Sequence, residues 1–336
     1  MKMNATRISV WISVVALAVA ILSYRAAIQA TPPSKSARVL FLAGGESPFW
    51  QLTAAGAKAA AEQYKVKLTV HLPKRGSAEQ SERLAGVSAE EFDGVAVSPS
   101  APQDQGAALR DMARKVHLLT FDSDAPASNR LCYIGTDNYS AGRLAAQLVK
   151  QAAPKGGKVA LLAPDLEKDN ASLRVQGFRD EIQRTQPGDS ENQVPSYEIL
   201  GPLEDGIDVK RCQANVARTL DEHPNVVAFV GLFSYHGPAL LSALQERELA
   251  SRPVLITFDE EQAVLEAIEE GNIFATVVQD PFKYGYESVR MLAELNVGHA
   301  VEIPIAGGGS LFLPCEAIRS DNVAAFRKRL ASRLAP

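Results

Sequence analysis

Two adjacent aromatic residues, Phe49 and Trp50, follow Gly44-Gly45-Glu46-Ser47-Pro48 at the head of an Ala-rich stretch. Aromatic faces pack against the C–H face of a sugar-like ring, or they simply cover a sheet edge. Asp122 opens the run Asp122-Ser123-Asp124-Ala125-Pro126, and Asp259 opens Asp259-Glu260-Glu261. A carboxylate in such a place accepts hydrogens from neighbouring hydroxyls of a polyol, in charge-assisted bonds of about 1.5–3 kcal/mol each. The plainer role is a turn or cap, more so for Asp124 than for Asp122. Glu260 and Glu261 suit the start of a helix, where negative charge is favoured. Arg174, in the stretch Asn170 through Phe178, offers a planar fork of donors either to hydroxyls or to a surface carboxylate. Gln279 brings an amide that both donates and accepts, and Phe233 an apolar wall. This mixture suits a neutral, hydroxyl-rich ring better than an anion or a metal.

Other chemistries lack their residues. Gly44-Gly45 has neither the dinucleotide fingerprint nor the lysine of a phosphate loop, and Glu46 there repels phosphate. No Gly-x-Ser-x-Gly elbow or ordered Ser/His/Asp set occurs. The 5 histidines have no metal-ligand spacing, and the 3 cysteines (Cys132, Cys212, Cys315) form no C-x-x-C; they read as small packing residues. The expectation is a protein with no enzyme activity, no cofactor and no metal. A net charge of −4 gives no attraction for nucleic acid, and Arg327, Lys328, Arg329 and Arg333 read as a solvated helix face.

The elements that must position these residues alternate along the chain. Strands are predicted over 38–43, 66–72, 94–98, 117–120, 131–134, 158–162, 197–200, 226–231, 254–258 and 274–278. Helices are predicted over 47–64, 105–115, 138–151, 170–184, 208–222, 237–247, 261–270 and 283–295. Ser47 before Pro48, Asn138 and Asn170 serve as start signals, and Gly271 as a stop. Strands separated by helices predict parallel sheets in an α/β fold, and roughly ten of them exceed one comfortable open sheet. Two doubly wound parallel-sheet lobes follow. In such sheets ligands bind outside the carboxyl ends of the strands, where the residues above fall.

The N-terminus is different in kind. Lys2 and Arg7 precede an apolar run over 8–22, slightly short of the roughly 20 residues a spanning helix needs. Residues 1–30 therefore read as a signal peptide or a retained membrane anchor, and 31–36, with Pro32 and Pro33, as a linker. The body of the protein is expected in the periplasm or otherwise outside the cytoplasm.

At these residues the sequence resembles the ribose-binding protein family, the type I periplasmic binding proteins of sugar ABC transporters. The resemblance is carried by Ser47 through Trp50, Thr120 through Pro126, Tyr133 through Asn138, Asn170 through Phe178, Phe258-Asp259-Glu260 and Gly271 through Tyr286. It implies two α/β lobes joined by a three-strand hinge: residues 37–136 with 280–308, and 137–279 with 309–336. It implies that Phe49 and Trp50 stack on a sugar, that Asp122, Arg174, Asp259 and Gln279 hydrogen-bond its hydroxyls, and that Phe233 lines the far side. Ser47, Ser123 and Phe233 stand where a ribose binder has Asn, Arg and Asn, which removes polar contacts and argues against ribose. The implied partners of this monomer are a sugar or polyol and an ABC permease. The alternative is a membrane-tethered sensor that passes its closed state to a signalling partner.

Overall fold

The computed structural model describes residues 36–166, 169–184, 195–245, 247, 251–298 and 309–334. The export segment predicted over 1–30 lies outside them, as does all of the linker but Ser36. Among the described residues no helix is long and apolar enough to cross a membrane.

In the first lobe β1 (Arg38–Leu42), β2 (Lys67–His71), β3 (Gly94–Val97), β4 (His117–Phe121) and β5 (Cys132–Thr136) are joined through α1 (Pro48–Tyr64), α2 (Ser77–Ala85), α3 (Pro102–Ala113) and a short 3-10 turn (Pro126–Ser128). In the second, α4 (Asn138–Ala152) precedes β6 (Gly157–Ala163), α5 (Asp169–Ile182), β7 (Tyr197–Glu204), α6 (Val209–Glu222), β8 (Val226–Gly231), α7 (His236–Gln245), β9 (Val254–Phe258), α8 (Gln262–Glu269) and β10 (Ala275–Val278). Then come α9 (Pro281–Asn296), β11 (Ser310–Leu313), β12 (Glu316–Ile318) and α10 (Val323–Leu334).

The two sheets run β11-β5-β4-β3-β1-β2 and β12-β10-β9-β8-β6-β7, the same winding twice. All neighbours are parallel except β12 against β10. Gly-Val-Ala-Val of β3 and Cys-Tyr-Ile-Gly-Thr of β5 are buried throughout, because helices cover both faces of a parallel sheet. Each lobe accordingly has an apolar cluster on either side of its sheet.

The chain passes between the sheets at Asp137, at Gln279–Asp280 and at Pro314–Cys315. The last passage corrects the boundary expected at 308/309. Ser310–Leu313 pairs with β5 over Tyr133–Thr136 and belongs to the first lobe. That short strand follows no clear helix–strand rhythm, so its allegiance is decided by pairing alone.

Glycines seat the helices that bracket the passages. A Cβ on Gly142 of α4 would lie 2.0 Å from the Arg174 carbonyl oxygen, and one on Gly177 of α5 2.0 Å from that of Tyr139. Backbone-to-backbone approach of this kind is open only to glycine. In the first lobe Gly56 of α1 meets the carbonyl of Phe282 on α9 in the same way, and Gly285 that of Thr53.

Local expectations changed at several helix starts. Ser47 stands at the N-cap of α1 without a side-chain bond. Asp137, not Asn138, caps α4 by accepting from the Ser140 amide. Asn170 lies inside the first turn of α5 rather than before it. Helix α2, unpredicted, is short and mostly polar, and tertiary contact holds it: Gln80 is fully buried and donates to the carbonyls of Ala43 and Ser98. The basic face of α10 is paired as well as solvated, Arg327 with Glu269, Arg329 with Glu316 and Arg333 with Asp280.

Candidate functional site

A cleft of about 980 Å³ is lined by residues of both lobes. Its centre is built on a repeated tripeptide. Thr120-Phe121-Asp122 ends β4 and Thr257-Phe258-Asp259 ends β9. Both aspartates take left-handed backbone, φ 59° and 66°, a region that Asp tolerates better than most residues. Each amide still donates to the adjoining strand, Asp122 to Ile134 and Asp259 to Val277. The two carboxylates thus terminate equivalent strands of the two lobes.

Around Asp122 the first lobe supplies little polar support. Its Oδ2 accepts from Ser98 Oγ at 3.3 Å, and Tyr133 OH donates to its backbone carbonyl at 2.8 Å. Burial pushes this carboxyl up to about 7; Arg174 pulls it down and Asp259 pushes it further up. Ser123 lines the cleft beside it. Asp124 is held in the turn by Arg130 (2.6 Å to each carboxylate oxygen) and by Thr120 Oγ1 at 2.6 Å.

The aromatic pair divides. Trp50 lines the cleft and lies over Gly44 and Gly45, where added Cβ atoms would fall 2.7 and 2.9 Å from the indole. Those two glycines make room for a ring. Phe49 does not line the cleft; it packs edge-on to Trp50 (5.0 Å between centroids) and Tyr284 (6.5 Å).

On the other side Arg174 is 2% exposed. Its Nε donates to Asn138 Oδ1 at 2.9 Å and its Nη1 to the Leu232 carbonyl at 2.7 Å. The guanidinium carbon lies 4.8 Å from the Phe233 ring centre and 4.6 Å from that of Phe258, a cation held between two π-faces. Among the described residues no surface carboxylate pairs with it, contrary to one reading of the sequence. Asp259, 8% exposed, accepts from Gln279 Nε2 at 2.8 Å on Oδ1, and its backbone carbonyl accepts from Thr276 Oγ1 at 2.8 Å. Burial raises its carboxyl, with Arg174 and Gln279 opposing. Behind it, burial and Asp259 push Glu260 up to about 8, and Glu260 Oε2 has no hydrogen-bond partner among the described residues. Glu260 is therefore more than a helix-start charge.

Phe233 lines the cleft, and a buried network fixes it. Its amide donates to His236 Nδ1 at 3.0 Å, so Nε2 carries the proton and donates to Asp205 Oδ2 at 2.8 Å. Tyr235 OH and the Ile207 amide donate to Asp205 Oδ1. Cys212 sits within 4.8 Å of both Asp205 and His236, its thiol pushed up to about 12 by burial. Three potential metal ligands meet here, but the tautomer set by Phe233 makes His236 Nε2 a donor rather than a ligand.

At the hinge the passages converge. Thr136 Oγ1 hydrogen-bonds Tyr284 OH and contacts Cys315 Sγ at 3.7 Å; Tyr284 OH donates to Gln279 Oε1 at 3.3 Å. Gln279 joins this knot to Asp259 and does not itself line the cleft.

The structure therefore brings Trp50, Asp122, Ser123 and Phe233 to the cleft wall and sets Arg174, Asp259 and Gln279 just behind it, with Phe49 aside. The sequence pattern does not mark Ser98, Tyr133 or Tyr284 as site residues, and it offers Asn138 as a helix start alone. Ser98 follows β3 and was within reach of the strand-end rule. Asn138 passed for a cap, and nothing local marks Tyr284 or the Asp205–His236 pair.

A sequence profile described as "Periplasmic binding protein domain" matches residues 39–300. The ribose import binding protein RbsB of Salmonella typhimurium is 21% identical over 304 residues, spanning 89% of this chain and 96% of its own. RbsB of Haemophilus influenzae is 23% identical over 262 residues, 77% of this chain and 85% of its own. Among solved structures, GanP, a glucose-galactose binding protein from Geobacillus stearothermophilus, is similar with TM-score 0.74 and 25% identity, over 86% of this chain and 99% of GanP. An ABC transporter solute binding protein from Burkholderia graminis in complex with D-arabinose is similar with TM-score 0.75 and 24% identity, over 88% and 99%.

Proposed function

The chain belongs to the periplasmic binding protein domain family, and from that premise we propose that it captures a sugar or polyol between its lobes outside the cytoplasm and delivers it to the permease of an ABC importer. The family is one of binding proteins and not of enzymes. The observation that carries the reading is the pairing of strand-end carboxylates across one cleft. Asp122 from the first lobe feels the charge of Asp259 from the second, and both feel that of Arg174, with Trp50 and Phe233 on the cleft wall.

A hydroxylated ring satisfies this arrangement. Its C–H face covers Trp50, and its hydroxyls donate to Asp122 and Asp259 and accept from the donors of Arg174 not used by Asn138 and Leu232. Departures from the ribose-binding pattern at Ser47, Ser123 and Phe233 point to a sugar other than ribose.

Capture works through the hinge. Ligand bridging both lobes binds the closed form more tightly than the open one, and only that difference drives closure. The knot of Thr136, Tyr284, Cys315 and Gln279 spans all three passages and ends on Asp259, so the lobe angle and the site share one hydrogen-bond chain. A permease then distinguishes closed from open by the surface that the two lobes jointly present.

The test is a titration of the purified protein with a panel of pentoses, hexoses and polyols, recording melting temperature and small-angle scattering. A true ligand at about a hundred times its Kd adds roughly 2.7 kcal/mol of stability and compacts the particle. If no member of the panel does either, the sugar-binding reading is wrong.

A further inference from the structure

The cleft is longer than one sugar ring. Its volume, about 980 Å³, is near the top of the range that encloses drug-sized molecules. Volume shrinks as lobes close, but length along one sheet does not. In the first lobe's sheet, β1 runs into Gly44 and Gly45, over which Trp50 lies, and β11 carries Phe312. Both aromatics line the cleft. With β3, β4 and β5 between them, β1 and β11 stand four strand spacings apart, about 19 Å. Trp50 leans onto Phe121 of β4 (6.3 Å between ring centres), which still leaves two spacings, about 10 Å, to β11. A pyranose measures roughly 6 Å between its outermost oxygens, given bonds near 1.5 Å. One ring on Trp50 therefore stops short of Phe312.

The far end is built for contact. Tyr133 lies over the bare backbone of Gly135, where an added Cβ would fall 2.1 Å from its hydroxyl oxygen, much as Trp50 lies over Gly44 and Gly45. Its OH donates to the Asp122 carbonyl at 2.8 Å, which ties this ring to the first site. Phe312, in register with Gly135, packs edge to face with Tyr133 at 6.3 Å and is 48% exposed. From the second lobe comes Leu173, 40% exposed and also on the cleft wall. It precedes Arg174, whose Nε bonds Asn138, so it stands beside the passage at Asp137, which Phe312 flanks from the other lobe. A single exposed apolar residue is ordinary. Two of them, one from each lobe, at one end of a binding cleft make an apolar contact surface. Asn170 and Ser172, on the same part of α5 and on the same wall, add polar groups around it.

We propose that the ligand is a di- or trisaccharide: one ring occupies the site between Trp50, Asp122 and Arg174, and the following rings run past Tyr133 to rest on Phe312 and Leu173. The inference rests on the sugar-binding reading and extends it from one ring to several. The aromatic face takes the C–H face of a sugar, and the polar side chains beside Leu173 meet its hydroxyls, the same combination as at the first site. An apolar aglycone would use Phe312 and Leu173 but not the polar groups of Asn170 and Ser172.

The experiment is calorimetric titration of the purified protein with matched series. Each series holds a monosaccharide, its di- and trisaccharide and its phenyl glycoside. A di- or trisaccharide is expected to bind about tenfold or more tighter than its monosaccharide. F312A, its fold checked by the unliganded melt, brings the two to within about threefold of each other. L173A narrows the ratio less. A monosaccharide that binds as tightly as its longer homologues, or a phenyl glycoside that binds best, overturns the inference and leaves the sugar-binding reading standing. So does a length preference that survives unchanged in both F312A and L173A, because the further rings then lie elsewhere. Failure of every compound in the panel overturns both.

Discussion

The two lobes repeat one winding and one tripeptide, yet they build their halves of the cleft by different means. The first lobe uses packing. Trp50 rests on the bare backbone of Gly44 and Gly45, with Phe121 and Phe41 stacked beneath, and Asp122 emerges with one weak side-chain bond. The second uses hydrogen bonds: Asn138 and Leu232 hold Arg174, Gln279 holds Asp259, and Asp205 with His236 holds the turn that carries Phe233. A packed wall answers to volume, as the close approach of Trp50 to Gly44 and Gly45 shows. A buried polar network is high-stakes, since each member left unpartnered costs its full desolvation. The difference teaches that the second lobe sets the orientation of a ligand, whereas the first offers a surface to rest on.

The comparison breaks first at Asp205. Asp205→Ala strands His236 and Tyr235 in the core and frees the Phe233 turn. Each buried donor left without its acceptor costs about 1–3 kcal/mol. Denaturant unfolding will show that loss, while Asp124→Ala in the first lobe, at a partly solvated turn, loses less. Equal losses would mean that the lobes are not differently built.

A second test is pH. Asp122 (to about 7), Glu260 (to about 8) and, in direction alone, Asp259 all sit above their ordinary values because burial disfavours the charged form. The folded state therefore holds these protons more firmly than the unfolded chain does. Their contribution is fully present below the ordinary carboxyl value near 4 and is lost as pH rises through about 7 to 8. The groups facing them are Ser98, Tyr133, Arg174, Gln279, Glu261 and Asp280. The unliganded protein is expected to lose on the order of 2 kcal/mol across that window, after discounting for solvent in the cleft. Asp122→Asn combined with Glu260→Gln flattens the loss, measured by chemical unfolding at each pH; an unflattened curve places the protons on other groups.

The smallest effect sharpens the contrast at the helix starts. Asp208 caps α6 by accepting from the amides of Lys210 and Arg211, whereas the Ser47 side chain at the head of α1 makes no cap bond. Asp208→Ala should cost about 1 kcal/mol and Ser47→Ala less than half of that. Paired unfolding curves check the ordering, and a reversed order would show that Ser47 caps in solution.

Much of this was legible along the chain because it is local. The alternation of apolar strands with helices, the two-lobed α/β class and the strand-end positions of Asp122, Asp259 and Gln279 follow from periodicity and from where strands stop. The same rule reaches Ser98. It does not reach α2, whose stability lies in Gln80 bonding to two distant carbonyls, nor β11, whose residues choose a lobe only by pairing with β5. Asn138 looked like a cap, and only the approach of α5 through Gly142 and Gly177 turned its amide toward Arg174.

By itself the sequence determined the number of lobes, their class and the kinds of side chain that strand ends would present, since propensity and hydrophobic period act over a few residues. Tertiary structure alone decided that Trp50 and not Phe49 faces the cleft, that Arg174 lies between two phenyl rings with neutral partners, and that the passages at Thr136, Gln279 and Cys315 meet at Tyr284. Those outcomes depend on contacts between residues more than thirty positions apart in the chain. Direction and burial at such distances are set by how whole helices and sheets pack, which no local pattern encodes.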